Sequence, residues 1–184
     1  MILRTEKNEV KLFSAVGLDY SNLRNLLASK KWQEADKETA KLMMQVSNRQ
    51  EKRWLDRENI EEFPYEDLHT IDKLWVKYSN GHFGFSVQKC IYEYVRETSE
   101  NDIEVWETFR YMVGWQKKGE KFQYSNVNFS ETAPEAHLPV VGLFVGLVGI
   151  ETECESFEQQ CAIMAGLGGV VFEAIVSRLF KCNN

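Results

Sequence analysis

Histidine and cysteine are sparse in this chain of 184 residues, and positive charge falls short of negative. The three histidines, His69, His82 and His137, are scattered. None stands in an HExxH or His-x-Cys arrangement, so no single helix face collects a set of metal ligands. The four cysteines, Cys90, Cys154, Cys161 and Cys182, form no CxxC pair and have no histidine cluster beside them. That spacing indicates neither a zinc site nor a disulfide framework, and it fits reduced thiols in a cytosol-like compartment. A formal net charge of -6 and a pI near 5.2 argue against a nucleic-acid binder, whose affinity comes largely from neutralising phosphates. No GxSxG elbow or Walker loop occurs, and GLGG at 166–169 lacks both the GxGxxG spacing and a preceding strand. The opening MILRTEKNEV carries charges where a secretory signal needs an apolar core. The two longest apolar runs, VVGLFVGLVGI at 140–150 and CAIMAGLGGVVF at 161–172, are each short of the ~20 residues that span a bilayer as a helix.

What is present is helical periodicity. With 43% apolar residues, the chain is long enough to bury a core, and one main domain is expected over residues 1–139, with an apolar, glycine-rich tail over 140–184. The pattern turns helical from NEVKLFSAV, and Tyr20, Leu23, Leu26 and Leu27 then share a stripe. Trp32, Ala35, Thr39, Leu42, Met43 and Val46 repeat at helical spacing, which puts Asp36 near a buried face where it needs a hydrogen-bond partner. Residues 47–63 break the period. Pro64 opens a further helix with Glu66 and Asp67 in its first turn, matched to the positive end of the helix dipole. Asp67 and Asp72 lie five residues apart and diverge by about 140° around a helix, so paired acid–base work is not expected of them.

LWVKYSNGHFGFSVQ, residues 74–88, places a Ser-Asn-Gly turn between aromatic side chains. Asn80 and Gly81 tolerate positive φ, and the flanks repeat at three and four, so the chain reverses there from one helix into another spanning 86–97. Another helix runs through DIEVWETFRYMVGW and stops at Gly114. Residues 121–129 read mostly as loop, and TAPEAHLP as an ordered two-proline loop. Of the 23 aromatic residues, 15 lie between Phe63 and Phe129, a density that serves either a core or a large flat ligand. The basic and aromatic stretch at 49–57 would give such a ligand a cationic rim.

DYSNLRNLL, KWQEADKETAKLM, RWLDRENIEEFPYEDLHTIDKLWVKYSNGHFGFSVQ, VWETFRYMVGW, APEAHLP and the terminal SRLFKCNN together resemble the "genomes uncoupled" tetrapyrrole-binding domain. The resemblance implies an all-α, compact multi-helix domain with a concave, cupped-hand ligand face. It also implies a non-enzymatic protein that binds protoporphyrin IX or magnesium protoporphyrin IX and works with the large porphyrin-binding subunit of magnesium chelatase. Its setting would be the cytoplasm of a cyanobacterium or a plastid stroma, partly membrane-associated, with the tail as a possible membrane contact.

Carried onto this chain, the first loop of the cup supplies Trp54, Leu55 and Ile60 as apolar contacts and Arg49, Arg53 and Arg57 to face propionates. Trp106, Phe109 and Trp115 fall in the VWxxF and GW motifs beside the second loop, which carries Glu135 and Leu138. Phe83, Gly84 and Phe85 brace the cup, with Phe85 as a core plug. Two departures stand out. Glu135 and Ala136 occupy positions where the family pattern has a frequent basic residue and a glycine, and the segment after Pro139 is long. Both fit a paralogous interaction or sensor module with weak or altered tetrapyrrole binding, to a bilin or haem, as the alternative.

Overall fold

The computed structural model describes residues 10–51, 55–99, 101–116, 124–140 and 169–179. Six α-helices come in order among them: α1 (Ser21–Ala28), α2 (Trp32–Val46), α3 (Arg57–Glu61), α4 (Tyr65–Tyr78), α5 (Phe85–Thr98) and α6 (Asp102–Met112). A 3-10 turn at Tyr124–Asn126 follows, and residues 169–179, here α7, are helical. No strand occurs among the described residues, and the expected all-α class holds. Packing runs from α1 to α2 and α4, from α4 to α5, and from α5 to α6.

The apolar stripes meet as their periodicity requires. Tyr20, Leu23 and Leu27 are buried on one side of α1, and Trp32, Ala35, Leu42 and Met43 on one side of α2. Trp32 stacks on Trp75 of α4 and meets Phe83 edge-on at 5.3 Å between ring centroids. Polar atoms in this core are satisfied locally. Trp75 Nε1 donates to Thr39 Oγ1 at 2.9 Å, and the Thr39 hydroxyl donates to the Ala35 carbonyl.

Residues 10–20 depart from the helical expectation, for a reason that lies on α4. The buried Asp67 carboxylate accepts from Tyr20 Oη at 2.6 Å, Ser14 Oγ at 2.6 Å and the Ala15 amide at 2.8 Å, while Thr70 Oγ1 donates to the Phe13 carbonyl. A carboxylate fixed on α4 thus replaces the internal hydrogen bonds a helix would have made. The second unforeseen element is α3. Asp56 and Asn59 cap it reciprocally, each side chain accepting from the other residue's amide. Helix α6 begins on an Asn101 cap and stops at Gly114, whose φ of 75° ends it where the sequence predicts.

Helix α7 belongs to the same core. Phe172 and Ile175 are fully buried, Arg178 Nε donates to the Phe63 carbonyl at 2.7 Å, and Tyr92 Oη donates to Glu173 at 2.9 Å. The rest of the 140–184 segment, apart from Val140, lies outside the described residues. Among the described residues no helix is long and apolar enough to cross a membrane.

Candidate functional site

The corner between α4 and α5 is the foundation of the site. Asn80 and Gly81 take φ of 56° and 83°, and Gly84 takes 138°. Phe83 and Phe85 are both buried. At Gly84 a Cβ would stand 2.7 Å from Val76 Cγ2 and 3.0 Å from Asp72 Oδ1, so glycine is required both by conformation and by space. That closeness lets Asp72 accept from the Ser86 amide at 2.8 Å, capping α5 from the neighbouring helix. Burial raises the Asp72 pKa, and its bonds to the first turn of α5 oppose the shift.

The second loop, residues 127–140, is strapped to this corner by backbone and side-chain bonds. Gly84 N donates to Leu138 O at 2.9 Å, and Ala136 N donates to His82 O at 2.9 Å. His82 Nε2 donates to Ala133 O at 2.8 Å. The Gln88 carboxamide donates to the Ala136 and Pro139 carbonyls at 3.1 and 2.8 Å. The Leu138–Pro139 peptide is cis, and Ala136 holds a φ of 62°, the left-handed conformation for which the family pattern keeps glycine.

The loop's other side meets α6 and α2. Trp115 Nε1 donates to His137 O at 2.7 Å, His137 Nδ1 donates to Val113 O at 2.6 Å, and Nε2 accepts from the Asn128 amide at 3.2 Å. Both ring nitrogens are used in the neutral form. Burial lowers the His137 pKa, and the bond to Val113 acts the other way. Asp36 accepts from Tyr124 Oη at 2.9 Å and from the Val140 amide at 2.8 Å, the partners its buried position demanded. Burial, then the Asp36 charge and hydrogen bond, push the Tyr124 hydroxyl well above its ordinary range.

The predicted site residues divide by environment. Trp106, Phe109 and Trp115 are brought together, with Phe109 and Trp115 edge-on at 5.4 Å. The side chain filling that cluster is one the sequence reading did not anticipate: Phe172 of α7 stacks on Phe109 at 4.7 Å and meets Tyr92 at 5.1 Å. Leu138, Ile60 and Leu55 are buried, and Glu135 is exposed. Arg49 pairs with Asp56 at 2.8 Å in a partly buried bridge, and Arg57 pairs with Glu61 at 2.6 Å on the surface. Arg53 and Trp54 lie outside the described residues. A cavity of about 680 Å³ opens beside residues 48–51, at the start of the first loop.

A second cavity, of about 400 Å³, lies between α5, α6 and α7. Trp106, Gly169 and Val170 form its apolar part, and Arg110 lines it with the guanidinium 5.7 Å from the Trp106 ring. Arg110 was not anticipated, although it sits four residues after Trp106 and therefore on the same face of α6. Among the described residues no group of three or more His, Cys, Asp or Glu side chains is placed to hold a metal ion.

A model of the GUN4-like family matches residues 13–154. The chain belongs to the GUN4-like family. Among relatives, an uncharacterised ycf53 protein of Porphyra purpurea is 33% identical over 77% of this chain and 58% of its own length. A protein of Arabidopsis thaliana named "Tetrapyrrole-binding protein, chloroplastic" is 29% identical over 67% of this chain and 49% of its own. The chain thus spans about half the length of the curated relatives it matches. The structure of GUN4 from Chlamydomonas reinhardtii is similar, with a TM-score of 0.67 and 27% identity over 92% of this chain and 95% of that one. Ligand-free GUN4 of Arabidopsis thaliana shares the fold at a TM-score of 0.64 and 23% identity, over 88% of this chain and 96% of that one. The GUN4-like membership accounts for the matched motifs and for the all-helical architecture.

Proposed function

We propose that this GUN4-like chain is a non-enzymatic tetrapyrrole-binding protein, with protoporphyrin IX or magnesium protoporphyrin IX as ligand. The observation that carries the reading is the match to the Arabidopsis tetrapyrrole-binding protein along most of the described domain. The geometry supports it through a well-anchored second loop, residues 127–140, while the first loop contributes Arg49 and Arg57 in ion pairs that a propionate would compete for. Arg57 is better suited than Arg49 to meet a propionate. Its pair with Glu61 is solvent-exposed and therefore weak, whereas Arg49 is tied into the capped start of α3. In this reading the protein delivers porphyrin to magnesium chelatase, or takes product from it, by working with the large porphyrin-binding subunit. The reading includes a membrane-surface contact by the tail, tested by flotation of the full chain with lipid vesicles, where failure to float would reject it.

Absorbance and tryptophan-fluorescence titration with protoporphyrin, magnesium protoporphyrin, haem and a bilin tests the ligand. A red-shifted Soret band with quenching is expected for the porphyrins, and no spectral change with any of the four would reject tetrapyrrole binding. A second reading, preference for a bilin or haem, rests on Glu135. It is exposed on the second loop and sets a negative charge where the family pattern often has a cation. Tighter binding of bilin or haem than of either porphyrin would select it.

A further inference from the structure

The groove between α5, α6 and α7 has a composition that neither ligand loop shares. Its floor is the Trp106 indole, with Gly169 packed so closely that a Cβ there would stand 3.3 Å from the ring. Ile103 and Val170 stand at its sides and are 75% and 38% exposed, large apolar side chains left in water beside an open cavity. Asp102, Glu107 and Glu173 also line it, with Glu173 held in place by the Tyr92 hydroxyl. Arg110 lines the groove among these carboxylates, nine-tenths buried, and its Nε is covered and makes no hydrogen bond. A buried donor without an acceptor is costly, and a charged one more so.

These features select their occupant. A free carboxylate or phosphate would suit Arg110 but meets three carboxylates against one guanidinium, so the surrounding charge opposes it. A peptide backbone carbonyl offers the groove-facing part of the guanidinium an acceptor without bringing negative charge, while Nε itself stays covered. Basic side chains flanking that carbonyl find Asp102 and Glu107, and an apolar side chain covers Ile103 and Val170 against the indole. We infer that the α5–α6–α7 groove is a docking site for a basic, amphipathic segment of a partner protein. The groove shares Trp106 with the residues the resemblance implies for tetrapyrrole contact, but none of residues 49–57 or 127–140 lines it.

The test uses the full chain and a fluorescein-labelled amphipathic leucine–lysine peptide, followed by fluorescence anisotropy, with a leucine–glutamate peptide of the same pattern as counter-probe. The leucine–lysine peptide is expected to bind and the glutamate form not to. Glu107→Lys and Ile103→Ser, both at exposed positions, should each weaken binding, Glu107→Lys by about tenfold. Glu34→Lys, an equal charge change on the exposed side of α2, should leave affinity near that of the unaltered chain. Absence of binding, equal loss in Glu34→Lys, indifference to Glu107→Lys and Ile103→Ser, or displacement of the peptide by protoporphyrin would each overturn the assignment. Because the binding and variant measurements are made without tetrapyrrole, their failure is distinct from failure of the ligand titration.

Discussion

Gly84 and Ala136 hold two different positive-φ conformations, one open only to glycine and one that a small side chain endures. At Gly84 the conformation and the contacts of the missing Cβ both forbid a side chain. Gly84→Ala is therefore expected to destabilise the fold by about 2–4 kcal/mol, combining backbone strain with an overpacked corner, as read from urea unfolding. Ala136 already bears the strain of a φ of 62°. Replacing it by glycine relieves about 1–2 kcal/mol of strain and adds about 0.5–1 kcal/mol of chain entropy in the unfolded state, so stability should stay within about 1 kcal/mol. Ala136→Val should cost about 2–3 kcal/mol in the same measurement, since the position is fully buried. The asymmetry between the two variants, more than either value, tests the conformation.

His137 gives the loop a dependence on pH. Its folded pKa lies below the ordinary 6.5, because burial favours the neutral form and outweighs the opposing bond to Val113. The unfolded chain then takes up the proton first, so stability is fully present above about 6.5 and is lost as pH falls from there through the folded pKa. His137→Gln is expected to flatten that part of the stability–pH curve, and an unchanged slope would remove His137 as its source. Of these single residues, a partner for Asp36 was legible in the sequence, whereas the glycine preference at position 136 came from the family resemblance. Apolar periodicity identifies a buried face but carries no record of which distant carbonyl a buried polar atom will meet.

At the scale of elements, periodicity located α2, α4, α5 and α6 within a residue or two, because each has one apolar face and a distinct stop. It failed at residues 10–20 and at α3, where a short segment is governed by Asp67 in one case and by an Asp56–Asn59 cap in the other. It also assigned the apolar run ending at Phe172 to a tail outside the main domain, either packed on the domain's surface or set against a membrane. The structure gives α7 a specific role, with Phe172 against Phe109, Tyr92 and Trp106. Phe172→Ala is expected to cost about 3–5 kcal/mol, the penalty for emptying a closed aromatic site. Calorimetry checks it, and a melting temperature unchanged from that of the unaltered chain would show that α7 packs elsewhere in solution. The aromatic density noted in the sequence thus serves packing at Phe109 and Trp115, with Trp106 left at the border between core and groove.

Across the whole molecule, the corner at 79–85 and the loop at 127–140 are more than forty positions apart in sequence, yet Gly84, Ala136 and Gln88 bind them into one body. No pattern in either segment announces this, since the atoms involved are mostly backbone carbonyls and amides that every sequence carries. The consequence is kinetic. Amides at Gly84, Ala136 and Asn128 are protected by bonds that depend on one another, so none becomes exposed to solvent deuterium until the clamp gives way as a unit. Native-state hydrogen exchange should return one common opening free energy for all three, with a common sensitivity to denaturant, and three separate values would mean that the strap frays bond by bond. A loop that opens in this all-or-none manner spends its time either fully in register or fully released, which makes it a timing element as well as a wall.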